Sequence, residues 1–191
     1  MRKSISLSFC LLVLFNVVSC GNVKNASEQV AVDQDCLYGC WTMPLSGDFI
    51  SGEERFCFEA PDRLELSDAI IFEGEDNGFN FTMPVRLCIA GRWFLRGDSL
   101  FILYEAQDVK LECDRGNIRI GYDESHGNKQ AFDMLQNEMA ATLISSLAQP
   151  MSDNYMALAG EELYLGDIVV ECSDSIVMVK NDLRAPLRRV K

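Results

Sequence analysis

At 191 residues with 48% hydrophobic content, the chain carries enough apolar side chain for one packed domain, which excludes disorder along its whole length. Its 29 acidic residues against 17 basic ones give a net charge of −12 at pH 7, a surface that repels phosphate backbones and argues against nucleic acid as a partner. The longest apolar run, Ile5–Val18, reaches about 21 Å as a helix, short of a bilayer core of about 30 Å, so it does not read as a membrane span.

Arg2 and Lys3 precede that run, and Val17-Val18-Ser19-Cys20-Gly21 follows it, after which the composition turns polar. A basic start, a short apolar stretch and small residues at its end read as an export signal. The segment resembles the signal peptide and lipobox of bacterial lipoproteins, whose cysteine is lipidated and becomes the first residue of the mature chain. The resemblance implies a signal peptide over 1–19, acylation at Cys20 and membrane attachment through that lipid. Without Arg2 and Lys3 the 17 basic residues become 15 against 29 acidic ones, a net charge of −14. Anionic head groups repel such a domain, so attachment rests on the lipid, and two or more acyl chains hold stably where one does not. Gly21 after the cysteine resembles the pattern of outer-membrane sorting in familiar Gram-negative bacteria. The stretch Gly21–Asn25 lacks the acidic cluster associated with surface display, which favours the periplasmic face.

Removal of Cys10 and lipidation of Cys20 leave Cys36, Cys40, Cys57, Cys88, Cys113 and Cys172. An even number in an oxidising compartment allows up to three disulfides, in any of the fifteen pairings, or free buried thiols. Asn22–Asp35 is polar and without period, a flexible tether that spans about 48 Å when fully extended.

Short alternating or apolar runs then predict strands at Glu54–Glu59, Arg63–Ser67, Ala69–Phe72, Phe79–Val85, Arg86–Leu95, Leu100–Tyr104, Val109–Cys113 and Ile118–Tyr122. Turn signals separate them at Pro61-Asp62, Gly74–Gly78, Gly97-Asp98 and Asp114–Asn117. Between Asn128 and Gln149 the apolar residues Phe132, Leu135, Met139, Leu143 and Leu147 fall at helical spacing. This predicts an amphipathic helix capped by Asn128 and stopped by Pro150, with Met151–Gly160 as a return loop, plain or with a short helical turn. Strands resume at Glu162–Leu165, Asp167–Cys172, Ile176–Lys180 and Leu187–Lys191, with a turn at Asn181-Asp182. The expected class is mainly β: an antiparallel meander barrel over 36–191, closed or partly open, with a helical insertion at about 126–160.

Leu37-Tyr38-Gly39-Cys40-Trp41 has the L-x-G-x-W form that opens the first strand of lipocalins and the wider calycin group. A second Gly-x-Trp, Gly91-Arg92-Trp93, precedes Gly97-Asp98-Ser99-Leu100, a pattern similar to that of small bacterial lipocalin-like lipoproteins. The resemblance implies that Trp41 plugs one end of the barrel while an arginine of the last strand, Arg188 or Arg189, lies across its ring. A guanidinium over an indole contributes about 0.5–2 kcal/mol. Gly39 leaves room for that packing. The inserted helix departs from lipocalins, which carry theirs near the end of the chain.

Reactive constellations are weak. Cys36-x-x-x-Cys40 is one residue too long for a thioredoxin-like motif and reads as a structural disulfide. His126, the only histidine, sits in a polar loop, which disfavours a histidine-based catalytic pair or zinc site. Glu73, Glu75, Asp76 and Asn77 lack the alternation of an EF-hand and read as a solvated loop. No catalysis, cofactor or metal is expected. Two functions remain. One is a binding module for a small apolar or amphipathic ligand, with Phe56, Phe58, Phe79, Phe81 and Leu87 as candidate lining. The other is an interaction or structural component of the envelope, in which the same five residues fill the core.

Overall fold

The computed structural model describes residues 32–76, 79–121 and 129–190. The expected signal peptide, Cys20, most of the expected tether, Asn77, His126, Asn128 and Lys191 lie outside the described residues.

Ten strands follow in chain order: β1 (Gly39–Gly47), β2 (Ile50–Glu59), β3 (Arg63–Asp76), β4 (Phe79–Arg96), β5 (Ser99–Leu103), β6 (Val109–Glu112), β7 (Arg119–Ile120), β8 (Leu163–Cys172), β9 (Ser175–Lys180) and β10 (Leu183–Arg189). Neighbours pair antiparallel in the ring β1-β2-β3-β4-β5-β8-β9-β10, and β10 returns to β1 through Trp41 opposite Arg189 and Thr42 opposite Arg188. The barrel is therefore closed and eight-stranded, the antiparallel meander with an inserted helix that the strand spacing predicts.

Closure is uneven. The β1–β10 ladder holds only those two register pairs, while β3 and β4 match from Arg63–Arg92 to Asp76–Phe79. Beyond Thr42 and Arg188 come Pro44 and Pro186, which have no N–H to extend the seam.

Two pairs of expected strands are each one strand. Arg63–Ser67 and Ala69–Phe72 join into β3, and Phe79–Val85 and Arg86–Leu95 join into β4. The long β4 outruns β5, and its free edge is taken by β6 at Arg86–Ile89 and by β7 at Phe81–Thr82. Pro84 falls in the gap between them, where a missing N–H removes no bond on that edge. Gly91 is required where β4 meets the end of β5, because a Cβ there would stand 2.6 Å from the Leu103 carbonyl oxygen.

The helical segment runs past its expected stop. α1 (Lys129–Leu143) passes through a π-helical turn, Ile144–Ala148, into α2 (Gln149–Ala157). Pro150 lies in the first turn of α2, where the wider preceding turn accommodates a residue that would break a regular helix. Most of the expected return loop is thus helical. Phe132 and Leu143 are buried and Met139 and Leu147 half-buried, but Leu135 is 49% exposed and lies off the packed face. Phe132 packs on Phe79 at 5.6 Å between ring centres, and the Tyr104 hydroxyl donates to the Tyr155 carbonyl at 2.9 Å, tying both ends of the segment to the barrel.

The core is the barrel interior. Trp41, Phe56, Phe58, Leu64, Leu66, Met83, Leu87, Ile89, Trp93, Leu100 and Ile102 are all essentially sealed. Trp93 closes edge-on against Phe58 at 5.0 Å and Tyr38 at 5.8 Å. Residues with no accessible surface touch no void large enough for water, so this half of the barrel is packed solid.

Candidate functional site

The first Gly-x-Trp builds a lock rather than a cavity. The Trp41 indole N–H donates to the Leu37 carbonyl at 2.7 Å, and the Arg189 guanidinium lies 4.4 Å from its ring centre. Arg189 spends three donors on backbone carbonyls: Nη1 to Tyr38 at 2.8 Å, Nη2 to Cys36 and Nε to Ser173, both at 2.9 Å. One side chain thus joins the chain before β1, the β8–β9 turn and the last strand. Gly39 has φ +115°, and a Cβ there would stand 3.1 Å from Arg189 Nη1. Arg188 points outward and is exposed, so of the two arginines it is Arg189 that covers Trp41.

Cysteine pairing is sparser than the count allows. Cys40 and Cys57 face each other across β1 and β2 and form a disulfide. Cys36, Cys88, Cys113 and Cys172 are free thiols. One bridge lies within the up to three that the count allows, and the Cys36–Cys40 pairing is corrected, because cross-strand register, invisible in spacing, gives Cys40 its partner. Burial pushes the Cys88 and Cys113 thiols up, away from the reactive thiolate form.

The five candidate lining residues divide by depth. Phe56, Phe58 and Leu87 are sealed among core neighbours, whereas Phe79, against Phe132 of the helical segment, and Phe81, beside Gly74, are half-buried. A cleft of about 380 Å³ lies instead on the outside at one rim, lined by Gln34, Asp62, Arg92, Trp93, Phe94, Arg96, Leu103 and Glu162. Its charges are partly spent: Arg96 pairs with Glu162 at 2.6 Å and lies over the Phe94 and Phe101 rings.

The unexpected feature is in the interior. On β2 the inward positions run Phe58, Phe56 and then Glu54, and on β3 they run Leu64, Leu66, Asp68, Ile70 and Phe72. Register sets Glu54 opposite Asp68, with Met43 of β1 beyond Glu54 and Leu87 of β4 beyond Asp68. Directly opposed residues on one sheet face have Cβ atoms about 5 Å apart. Glu54 is 0% and Asp68 4% exposed. Both carboxyl oxygens of Glu54 and Oδ1 of Asp68 have no hydrogen-bond partner. Among the described residues the only other buried polar side chains are Ser152 and Ser175, so no lysine, arginine or histidine is buried with the pair.

Such a pair is costly when ionised, since an unpaired charge in a dry interior loses its hydration without return. Burial, and secondarily the neighbouring Asp68 charge, raise the Glu54 carboxyl well above its ordinary range. Burial pushes Asp68 up to about 7. The arrangement can hold protons or accept hydrogen bonds from a cation. Among the described residues no cluster of three or more acidic, cysteine or histidine side chains could hold a metal ion, and Glu73 and Glu75 are exposed at the end of β3.

The sequence carried a signal for this pair. Both acids are in phase with the apolar positions around them, and a charged residue on the buried phase of a strand is the mark of an interior polar site. Ending one strand at Ser67 and restarting at Ala69 treats Asp68 as punctuation and hides that phase.

Compared with known proteins, the chain matches no family model, no curated protein and no solved structure.

Proposed function

We propose that the protein is a lipid-anchored lipoprotein of a bacterial cell envelope whose lipocalin-like barrel binds a small amphipathic ligand, and that it is not an enzyme. One observation carries the binding reading: two carboxylates sealed in an apolar barrel interior with no protein partner. Unpartnered buried acids lower stability, and such strain marks a site more often than a core. The ligand's apolar part would displace a side chain that can adopt other shapes, Met43 opposite Glu54 first among them. Its way in would be the short β1–β10 seam, one strand from Glu54. Native mass spectrometry of the protein purified from cells is expected to show a copurifying small amphiphile. Only the bare mass, across several growth conditions, would sink the binding reading.

A second reading has its own support. The solid packing from Trp41 to Leu87 favours a filled barrel that works as a structural or interaction component of the envelope. It predicts the bare mass in that experiment.

The anchor rests on the lipobox-like Val17–Gly21, and outer-membrane placement facing the periplasm rests on Gly21 and the residues after it. Cells fed labelled palmitate are expected to label the wild type and not Cys20→Ala. Equal labelling of both would overturn the anchor.

A further inference from the structure

We propose that the ligand's head group is a primary ammonium, and that Glu54 and Asp68 together form its socket, the ligand being a primary amine on an apolar chain. The inference rests on the binding reading above and adds the chemistry of recognition to it.

Three observations select this class. First, the site lacks positive charge: two acids lie side by side in register, and no basic side chain is buried with them among the described residues. A neutral or anionic head group would leave that deficit untouched, and an anion would deepen it. Second, the unmet acceptors are Oε1 and Oε2 of Glu54 and Oδ1 of Asp68. A primary ammonium has three N–H donors on one small centre, so one head group meets all three oxygens. A metal ion fits less well, because a hard cation takes six or more oxygens and two carboxylates supply at most four. Third, everything around the acids is apolar. Phe56 and Leu66 lie on one side along their strands, Ile70 lies beyond Asp68, and Met43 and Leu87 flank the pair across the sheet. These walls are sealed in the ligand-free barrel, so a bound chain must displace some of them, and a hydrocarbon chain does so without bringing polar groups that the walls cannot satisfy.

The placement also explains why the acids can be tolerated. Without the amine, burial favours protonated carboxyls. The single positive charge of a bound ammonium balances one carboxylate, so one O–H ionises and its proton leaves to solvent, the other carboxyl can keep its proton, and the three N–H groups donate to oxygens that otherwise have no partner.

The test uses the full-length chain in a non-ionic detergent at pH 7.5, with octylamine, 1-octanol and octanoate compared at equal free concentration. Octylamine at about a hundredfold excess over Kd is expected to raise the midpoint of thermal unfolding by about 5 °C or more. Octanol and octanoate are expected to shift it by a small fraction of that. Glu54→Gln and Asp68→Asn remove the buried charge without changing shape, so both variants are expected to fold, and each is expected to lose the octylamine response. An equal response to octanol, or an octylamine response that survives in both variants, overturns the ammonium socket and leaves the binding module standing. No response to any of the three overturns both.

Discussion

Stability of the wild type is expected to fall by about 4 kcal/mol as pH rises from near 4 to near 7, on account of Asp68 alone. Its carboxyl sits near 3.8 when unfolded and near 7 when folded. Below the lower value both states are protonated and the acid costs nothing. Between the two values the folded state holds a proton that the unfolded state has released, so each pH step favours unfolding by about 1.4 kcal/mol. Above the upper value both are ionised and the loss is complete. Glu54, held well above its ordinary range by burial and secondarily by the Asp68 charge, adds to the decline in the same direction. With a sequence pI near 4.5 the protein associates at the acid end, so the measurable window opens near pH 5 and contains about 2–3 kcal/mol of the Asp68 effect.

Urea titrations from pH 5 to 8.5 on the wild type and on the Glu54→Gln/Asp68→Asn double variant separate this effect from general repulsion among surface acids. Surface repulsion acts on both proteins alike, so the difference between their curves reports the buried pair. The double variant is expected to be the more stable at pH 8 and to lack the steep decline. Parallel curves would show that the acids are hydrated or paired in the folded protein, and the socket would lose its physical basis.

What the sequence reveals and conceals follows from the range of the interactions involved. Alternation along β2, β3 and β4 is local, and it was enough for strands, an antiparallel meander and an inserted helix. Barrel closure by the Trp41–Arg189 register, and the choice of Cys57 over Cys36 as the partner of Cys40, are pairings across many residues that no local period encodes. Pro150 misled because a proline ends a regular helix but not one that has just passed through a wider turn. The acid pair was half legible. Each residue announces its phase within its own strand, but only the Glu54–Asp68 register shows that the two meet. Phe56, Phe58, Phe79, Phe81 and Leu87 fit either a ligand's walls or a filled core, since hydrophobicity alone does not tell a lining from a filling, and three of them are sealed core.

The largest single-residue losses are expected at the barrel-end lock. Trp41→Ala empties a sealed position of the largest side chain and is expected to cost about 3–5 kcal/mol. Arg189→Ala removes a cation over the indole and three charge-assisted hydrogen bonds to carbonyls, partly open to water, and is expected to cost about 2–4 kcal/mol. Arg188→Ala, one residue earlier and outward, is expected to cost less than about 0.5 kcal/mol. Urea unfolding of the three variants, with unchanged m-values, measures this directly. Because Trp41 and Arg189 share a contact, the double variant is expected to lose about 0.5–2 kcal/mol less than the sum of the singles. With only two register pairs joining β1 to β10, the lock and one short ladder hold the ring shut. Arg189→Ala is therefore also expected to speed amide exchange along β1 and β10 more than along β3 and β4, where pairing is long. Uniform acceleration over all four strands would mean that Arg189 stabilises the barrel as a whole rather than closing its weakest joint.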